Sequence, residues 1–281
     1  VPGESPLSVL RSRGLRPSKK RGQHFLVDAR VARRILEHAA PSVEDVVVEV
    51  GAGLGALTGG LADRARSVLA VEVDRGLAGV LEERLGGRDN VAVESDDILN
   101  VNLREVAGRY GVQRVRVVGN LPYCITAPIL LWIVRQAEVV ADAVVMVQAE
   151  VAERLAAPPG GANYGPLTIA VQFWSRPEVL LRVSPGCFRP TPGVESALVR
   201  LSLTGRARVA VRDEALYFDV VRKVFSQRRK MLKNSLLQLE GVNEGVLRAV
   251  EARTGLDLTR RPQEFGLDAF ARLVDALGAL A

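Results

Sequence analysis

The sequence predicts an α/β fold: a doubly wound, Rossmann-like sheet followed by a small all-α C-terminal domain. Three observations carry that expectation. Short β-branched runs alternate with helix-period stretches as far as about residue 203, the pattern of βαβ units and a mostly parallel sheet. The first of these runs, Val46-Val47-Val48-Glu49-Val50, leads into Gly51-Ala52-Gly53-Leu54-Gly55, a strand-to-helix glycine turn of the nucleotide-binding kind. From about residue 206 onward only helical patterns remain. The expected division is a flexible basic arm over residues 1–18, a cofactor-binding catalytic domain over residues 19–204, and a small helical domain over residues 205–281.

In chain order, the arm is rich in Pro, Gly, Ser and Arg, with at most a short helical turn. Asp28 is placed to cap a helix from Ala29 to Ala40, with Val31, Ile35 and Leu36 on its apolar face and Arg30, Arg33 and Arg34 opposite. After the glycine turn a helix runs to about Ala65, and Ser67 to Val73 is a second strand with Glu72 near its end. A third strand, Val91 to Glu94, precedes Ser95-Asp96-Asp97, and Val115 to Val118 is a fourth. A fifth, Ala143 to Gln148, follows the helix from Ile129 to Gln136. Residues 158–166 read as a Pro/Gly surface loop, and a helix covers Leu167 to Phe173. Val179 to Val183 and Ala197 to Leu203 are two late strands forming an antiparallel edge, joined by a long Pro/Gly loop that carries Phe188. Helices are expected over 214–226, 230–237, 246–254 and 269–280.

Composition is that of an ordinary soluble protein, with 48% hydrophobic and 25% charged residues. No apolar run approaches the ~18–20 residues of a membrane span, and no apolar segment follows the basic N-terminus to make a secretory signal. Cys124 and Cys187 are far apart and, with only His24 and His38, make no zinc site. A reducing, cytoplasmic setting without metal is the expectation. The net charge of +6 is uneven: residues 1–34 hold nine Lys/Arg against Glu4 and Asp28, so the remainder is close to neutral. A second basic cluster, Arg228-Arg229-Lys230 with Lys233, lies in the C-terminal third. Such runs are commonly solvated surface, but two concentrated patches on a near-neutral body also fit a polyanion, nucleic acid foremost.

The fourth strand ends in Asn120-Leu121-Pro122-Tyr123. At the C-terminal end of a buried strand these groups project into the crevice where open α/β sheets bind ligands. An amide offers an acceptor and two donors, a proline stiffens the backbone and extends the residue before it, and a tyrosine gives a flat stacking face. The set suits a planar heterocycle bearing an exocyclic amine; the plainer reading is a strand entering a proline turn with a half-buried Tyr. Gly51-x-Gly53-x-x-Ala56 with Glu72 fits a relaxed dinucleotide fingerprint, yet the same geometry serves S-adenosylmethionine. A third glycine at 55 and a second acid, Asp97, after the third strand favour the latter, with Glu72 accepting from ribose hydroxyls and Asp97 from the adenine amine. Asp97 reads equally as a helix cap.

Lys20-x-Gly22-Gln23-His24-Phe25-Leu26, Glu49-x-Gly51-x-Gly53-x-Gly55-x-Leu57-Thr58, Glu72, Asp97, Asn120-Leu121-Pro122-Tyr123, Phe188-x-Pro190-x-Pro192-x-Val194-x-Ser196 and Phe225-Ser226-Gln227-Arg228-Arg229-Lys230 occur in order. Over nearly its whole length the chain thereby resembles the small-subunit ribosomal RNA adenine dimethyltransferases of the KsgA/RsmA family. The resemblance implies a class I methyltransferase sheet, S-adenosyl-L-methionine as cofactor, and N6,N6-dimethylation of two adjacent adenosines near the 3′ end of 16S ribosomal RNA during ribosome biogenesis. By position it makes His24, Leu26, Gly51, Glu72, Asp97 and Asn120 cofactor contacts, with Gln23 and Gly53 beside them. Asn120, with a backbone carbonyl from Leu121 or Pro122, would hold the adenine amine. Tyr123 and Phe188 would stack on the two faces of the base, although Phe188 reads alternatively as a core aromatic. Lys19, Lys20, Arg21, Arg228, Arg229, Lys230 and Lys233 are the expected RNA contacts. Cys124 stands where Asn or His is usual, and Ser95-Asp96 where Gly is usual. The expected partner is the small ribosomal subunit or its precursor, met by a monomer, with neither membrane nor DNA involved.

Four other readings stay open. An Erm-type enzyme of large-subunit ribosomal RNA shares most motifs, though Leu121 and the Phe225–Lys230 block favour the small-subunit branch. A DNA adenine methyltransferase lacks support in any separate target-recognition segment. The chain could instead act chiefly as a non-catalytic ribosome-assembly factor. A NAD-dependent dehydrogenase is the most distant.

Overall fold

The computed structural model describes residues 6–18 and 21–280. It divides into two compact units, one running to Ala152 and resuming over Arg176–Arg206, the other comprising Glu153–Ser175 and Ala207–Ala281.

The first unit opens with a helix, α1 (Pro6–Ser12), so the segment expected to be a flexible arm is structured where it is described. Val9 and Leu10 are buried against Phe25, Leu54, Leu77 and Val80, with Leu15 packed beside them. Three apolar side chains among the arginines account for the docking; charge and Pro/Gly content obscured them. Lys19 and Lys20 lie outside the described residues. A two-residue strand, β1 (Phe25–Leu26), follows, and then α2 (Ala29–Ala39), capped as expected by Asp28, whose carboxylate accepts from the N–H groups of Arg30 and Val31.

The main sheet grows from β2 (Val46–Val50), buried at all five positions. Burial on both sides is what a central parallel strand requires, and it explains an almost unbroken valine run. The helix α3 (Thr58–Ala62) leads to β3 (Ser67–Val71), and α4 (Arg75–Leu85) to β4 (Val91–Glu94). Next come α5 (Leu103–Arg109), β5 (Val115–Asn120), α6 (Thr126–Arg135), β6 (Val140–Gln148) and α7 (Ala149–Ala156). After α8 (Pro166–Trp174) the chain adds β7 (Ser175–Val183), a short β8 (Phe188–Arg189) and β9 (Ser196–Leu203). The seven-stranded order is β4-β3-β2-β5-β6-β9-β7. Strands β2 to β6 pair in parallel, in registers such as Val48 opposite Leu69 and Val117. β9 returns antiparallel to β6, Val145 opposite Val199. The order doubles back at β2, so β2 and β5 diverge to opposite sides at a topological switch point. The small sheet of β1 and β8, Leu26 opposite Phe188, has no counterpart in the sequence reading. Two-residue strands carry no periodicity to detect.

The second unit is helical: α8 with α9 (Glu214–Ser226), α10 (Leu232–Leu236), α11 (Glu244–Thr254) and α12 (Leu267–Gly278). Its core holds Ile169, Phe173, Tyr217, Val220, Val224, Leu236, Phe270 and Leu273. The Phe173 ring lies 5.0 Å from those of Tyr217 and Phe218, within the range of favourable aromatic pairs. The boundary expected near residue 204 therefore differs: residues 153–175 group with the helices. A local pattern places Ile169 and Phe173 on one helix face, but not which neighbour that face meets.

Candidate active site

Three adjacent parallel strands end on one cavity of about 420 Å³, within the usual range of ligand pockets. The glycine turn leaves β2, Glu72 follows β3, and Asn120 ends β5. Gly51, Gly53 and Gly55 all have positive φ, at 65°, 56° and 83°, a conformation that residues with a Cβ resist. These glycines turn the chain sharply to form the pocket floor, and at Gly55 a Cβ would meet Leu81 at 2.8 Å, so the turn packs directly on α4.

Two acids face this floor. Glu72 is 5% exposed; one carboxylate oxygen accepts from Gly53 N–H at 2.9 Å and the other from Asp74 N–H at 2.9 Å. Burial raises its pKa, and those two N–H groups pull the other way. Each oxygen keeps a further lone pair. Glu49 was not singled out as a site residue, yet it lines the cavity from within β2. Its Oε2 is buried with no hydrogen-bond partner among the described residues, and burial pushes the carboxyl up to about 8, opposed by the neighbouring Thr58 hydroxyl and helped by the charge of Glu72. The available signal was a lone acid interrupting a valine strand two residues before the turn.

Asn120 is oriented by the chain segment across from it. Its Nδ2 donates to the carbonyl of His24 at 2.9 Å, and its buried Oδ1 has no partner among the described residues, an acceptor left free beside the cavity. The Pro122 carbonyl already accepts from Ile125 N–H at 3.2 Å and Thr126 Oγ1 at 3.0 Å. Of the two carbonyls proposed to act with Asn120, that of Leu121 is the one without such partners among the described residues. The Tyr123 ring stacks against the His24 imidazole, centroids 5.2 Å apart and planes at 29°. Its hydroxyl lies 2.6 Å from Ser196 Oγ, and burial raises its pKa against the pull of that bond.

Gln23, His24, Leu26, Gly51, Gly53, Glu72, Asn120, Leu121, Pro122 and Tyr123 all line the cavity. Three expected residues stand otherwise. Phe188 is fully buried among Leu26, Ile35 and Leu198; its ring is core, which corrects the expectation of a second stacking face. Asp97 does not line the cavity and accepts from Leu99 N–H at 3.0 Å, the helix-cap role. Arg21 does line it, but its guanidinium pairs with Asp74, which neutralises the charge meant for RNA. Arg228, Arg229 and Lys230 are exposed and Lys233 half-buried in the helical unit; Arg228 also donates to the carbonyl of Ala162 at 2.9 Å. Among the described residues no cluster of His, Cys, Asp and Glu is arranged to hold a metal, and no helix is long and apolar enough to cross a membrane.

The unpartnered oxygen of Glu49 and the spare lone pairs of Glu72 suit a ligand that brings hydroxyls and positive charge. Beside these acids sit a fixed amide acceptor and one aromatic face. That arrangement can hold an adenosine-bearing cation and aim an exocyclic amine toward it.

The family model for "Ribosomal RNA adenine dimethylase" matches residues 15–263. The chain is 44% identical over 279 residues to "Ribosomal RNA small subunit methyltransferase A" of Moorella thermoacetica, covering 97% of this chain and 96% of that one. It is 40% identical over 283 residues to the protein of the same name from Geobacillus thermodenitrificans, covering 99% and 96%. Among solved structures it is similar to a dimethyladenosine transferase from Plasmodium falciparum, with TM-score 0.72, 22% identity, and 89% and 96% of the two chains covered. It is also similar to the 23S rRNA methyltransferase ErmE, with TM-score 0.67, 27% identity, and 90% and 99% covered.

Proposed function

The chain belongs to the ribosomal RNA adenine dimethylase family, and from that premise we propose how its own residues carry out the reaction. It is an enzyme with a class I methyltransferase fold, and its activity is adenine dimethylation of ribosomal RNA. The methyl donor proposed is S-adenosylmethionine, whose sulfonium, when bound, supplies the methyl group. The fit rests on the two acids: Glu49 Oε2, without a partner among the described residues, would accept from the ligand's ammonium, while the spare lone pairs of Glu72 accept from the ribose hydroxyls. Asp97 is proposed for the adenine amine through the oxygen that does not cap the following turn, and Gln23, His24, Leu26, Gly51 and Gly53 complete the walls.

The single observation that carries the catalytic reading is the unpartnered Asn120 Oδ1. Adenine N6 is a weak nucleophile because its lone pair is delocalised into the ring. Asn120 Oδ1 accepts one N6–H and the Leu121 carbonyl the other, which turns the lone pair out of the ring plane and toward the methyl. Tyr123 presents the face not covered by His24 for the base to stack on. The base must leave its own stack at a cost of a few kcal/mol, and stacking worth ~1–3 kcal/mol offsets part of this. Catalysis is then positioning and electrostatics, with no obligatory general base. The proposed substrate is the small ribosomal subunit or a precursor in the cytoplasm, with two adjacent adenosines near the 3′ end of 16S RNA as targets. The basic cluster from Arg228 to Lys233 is proposed to hold its phosphates.

The test is incubation of unmethylated ribosomal subunits with labelled S-adenosylmethionine, followed by mapping of the modified bases. Two dimethylated adenosines in the small subunit are expected. Label confined to the large subunit would replace this reading with an Erm-type one. Asn120→Ala should lower the rate by about two to three orders of magnitude, the loss seen when one preorganised hydrogen bond is removed from a reacting centre, and leave cofactor affinity nearly unchanged.

A further inference from the structure

The aromatic wall of the site is held from outside the Asn120–Tyr123 motif. Tyr123 Oη lies 2.6 Å from Ser196 Oγ, and Ser196, at the first position of β9, is fully buried. Behind the ring stands His24, stacked at 5.2 Å. His24 is fixed by its Nδ1, 2.7 Å from the carbonyl of Pro190; a carbonyl only accepts, so this nitrogen carries the proton. The same His24 takes the Asn120 amide on its backbone oxygen at 2.9 Å. Pro190 and Ser196 thus brace the motif from one connecting segment, the first through His24 and the second on the phenol. With Phe188 withdrawn into the core, Tyr123 is the one ring among those expected to stack that lines the cavity, and its tilt sets where a base rests.

We propose that Ser196 is a positioning residue whose hydroxyl fixes the Tyr123 ring and so governs the second of the two methyl transfers. The inference rests on the proposed function above. In the first transfer the amine offers two N–H groups, to Asn120 and Leu121, and these hydrogen bonds orient it. After one methyl is added a single N–H remains, and orientation depends more on the ring against which the base lies. A loosened Tyr123 therefore affects the second step more than the first. The chemistry of each step is unchanged: nitrogen forms a bond to the methyl carbon, the carbon–sulfur bond breaks with its electron pair on sulfur, and the nitrogen's proton passes to solvent.

Single-turnover reactions on unmethylated small subunits, with N6-monomethyl- and N6,N6-dimethyladenosine quantified by mass spectrometry of the digested RNA, read this directly. Ser196→Ala is expected to slow the second transfer up to about tenfold relative to the first, the scale of one hydrogen bond, so that monomethyladenosine accumulates. Ser196→Thr, which keeps the hydroxyl, should restore the wild-type ratio. Tyr123→Phe, which removes the other partner and adds no bulk, should match Ser196→Ala, and the double variant should be no worse than either. An unchanged ratio in both single variants, or additive losses in the double, overturns the proposal. Should Ser196→Ala fail to fold, Tyr123→Phe decides alone. If the wild type dimethylates no adenosine the function itself falls, whereas dimethylation with an unaltered ratio in the variants removes only the role of Ser196.

Discussion

Glu49 shows how a buried group exposes the purpose of a pocket. With its carboxyl raised from 4.5 to about 8, the folded protein without ligand holds a proton there over a range in which the unfolded chain has released it. Between those values stability falls as pH rises, by up to about 1.4 kcal/mol per pH unit. Below the unfolded value the group costs nothing, and above about 8 the cost is complete. Glu49→Gln removes the titrating group and keeps the shape. Its melting temperature should exceed that of the wild type at pH 8.5, with the difference closing as pH approaches 5. Parallel melting curves for the two proteins across that range would refute the assignment. On the proposed reading, binding of a cationic ligand reverses the preference and expels the proton. At this scale the sequence was informative where a motif dictates chemistry, as for Asn120, Tyr123 and Glu72. It left two readings open where burial decides: Phe188, read as a stacking face or as core, is core, and Asp97, read as an amine acceptor or as a cap, caps a turn with one of its oxygens.

Individual elements were legible in proportion to their periodicity. The valine run of β2, the Asp28 cap of α2 and the span of α9 follow from spacing alone. Partnership did not, because a stripe of apolar residues states that a face is buried and not against what. The helix α8 is the case in point: adjacent in sequence to β7, it contributes Ile169 and Phe173 to the helical core. Phe173→Ala should therefore cost about 3–5 kcal/mol in the helical unit, followed by hydrogen exchange along α9 and α12. Exchange in β2 and β5, whose cores are separate, should stay near the wild-type value. Weakened protection in the sheet and none in the helices would reverse that assignment. A fragment starting at residue 207 lacks both side chains and should show helix without fixed aromatic packing.

For the whole molecule, charge is the property that no single element reveals. The sequence concentrates positive charge in two segments, but Arg21 is spent on Asp74 and Arg13 on Glu83. Arg229 and Lys230 remain exposed in the helical unit. Affinity for small subunits should fall steeply with salt, and Arg229→Ala with Lys230→Ala together should flatten the log–log slope by about 1.4–1.8, at ~0.7–0.9 per phosphate contact. An unaltered slope would make these ordinary surface charges. The helix α1 has a consequence in time as well as in space. At seven residues it is too short to persist in water by itself, and the side chains that hold it come from β1, the glycine turn and α4. Its docking needs those pieces in place, so Leu10→Ala is expected to speed unfolding and leave the folding rate nearly unchanged, as stopped-flow kinetics would show.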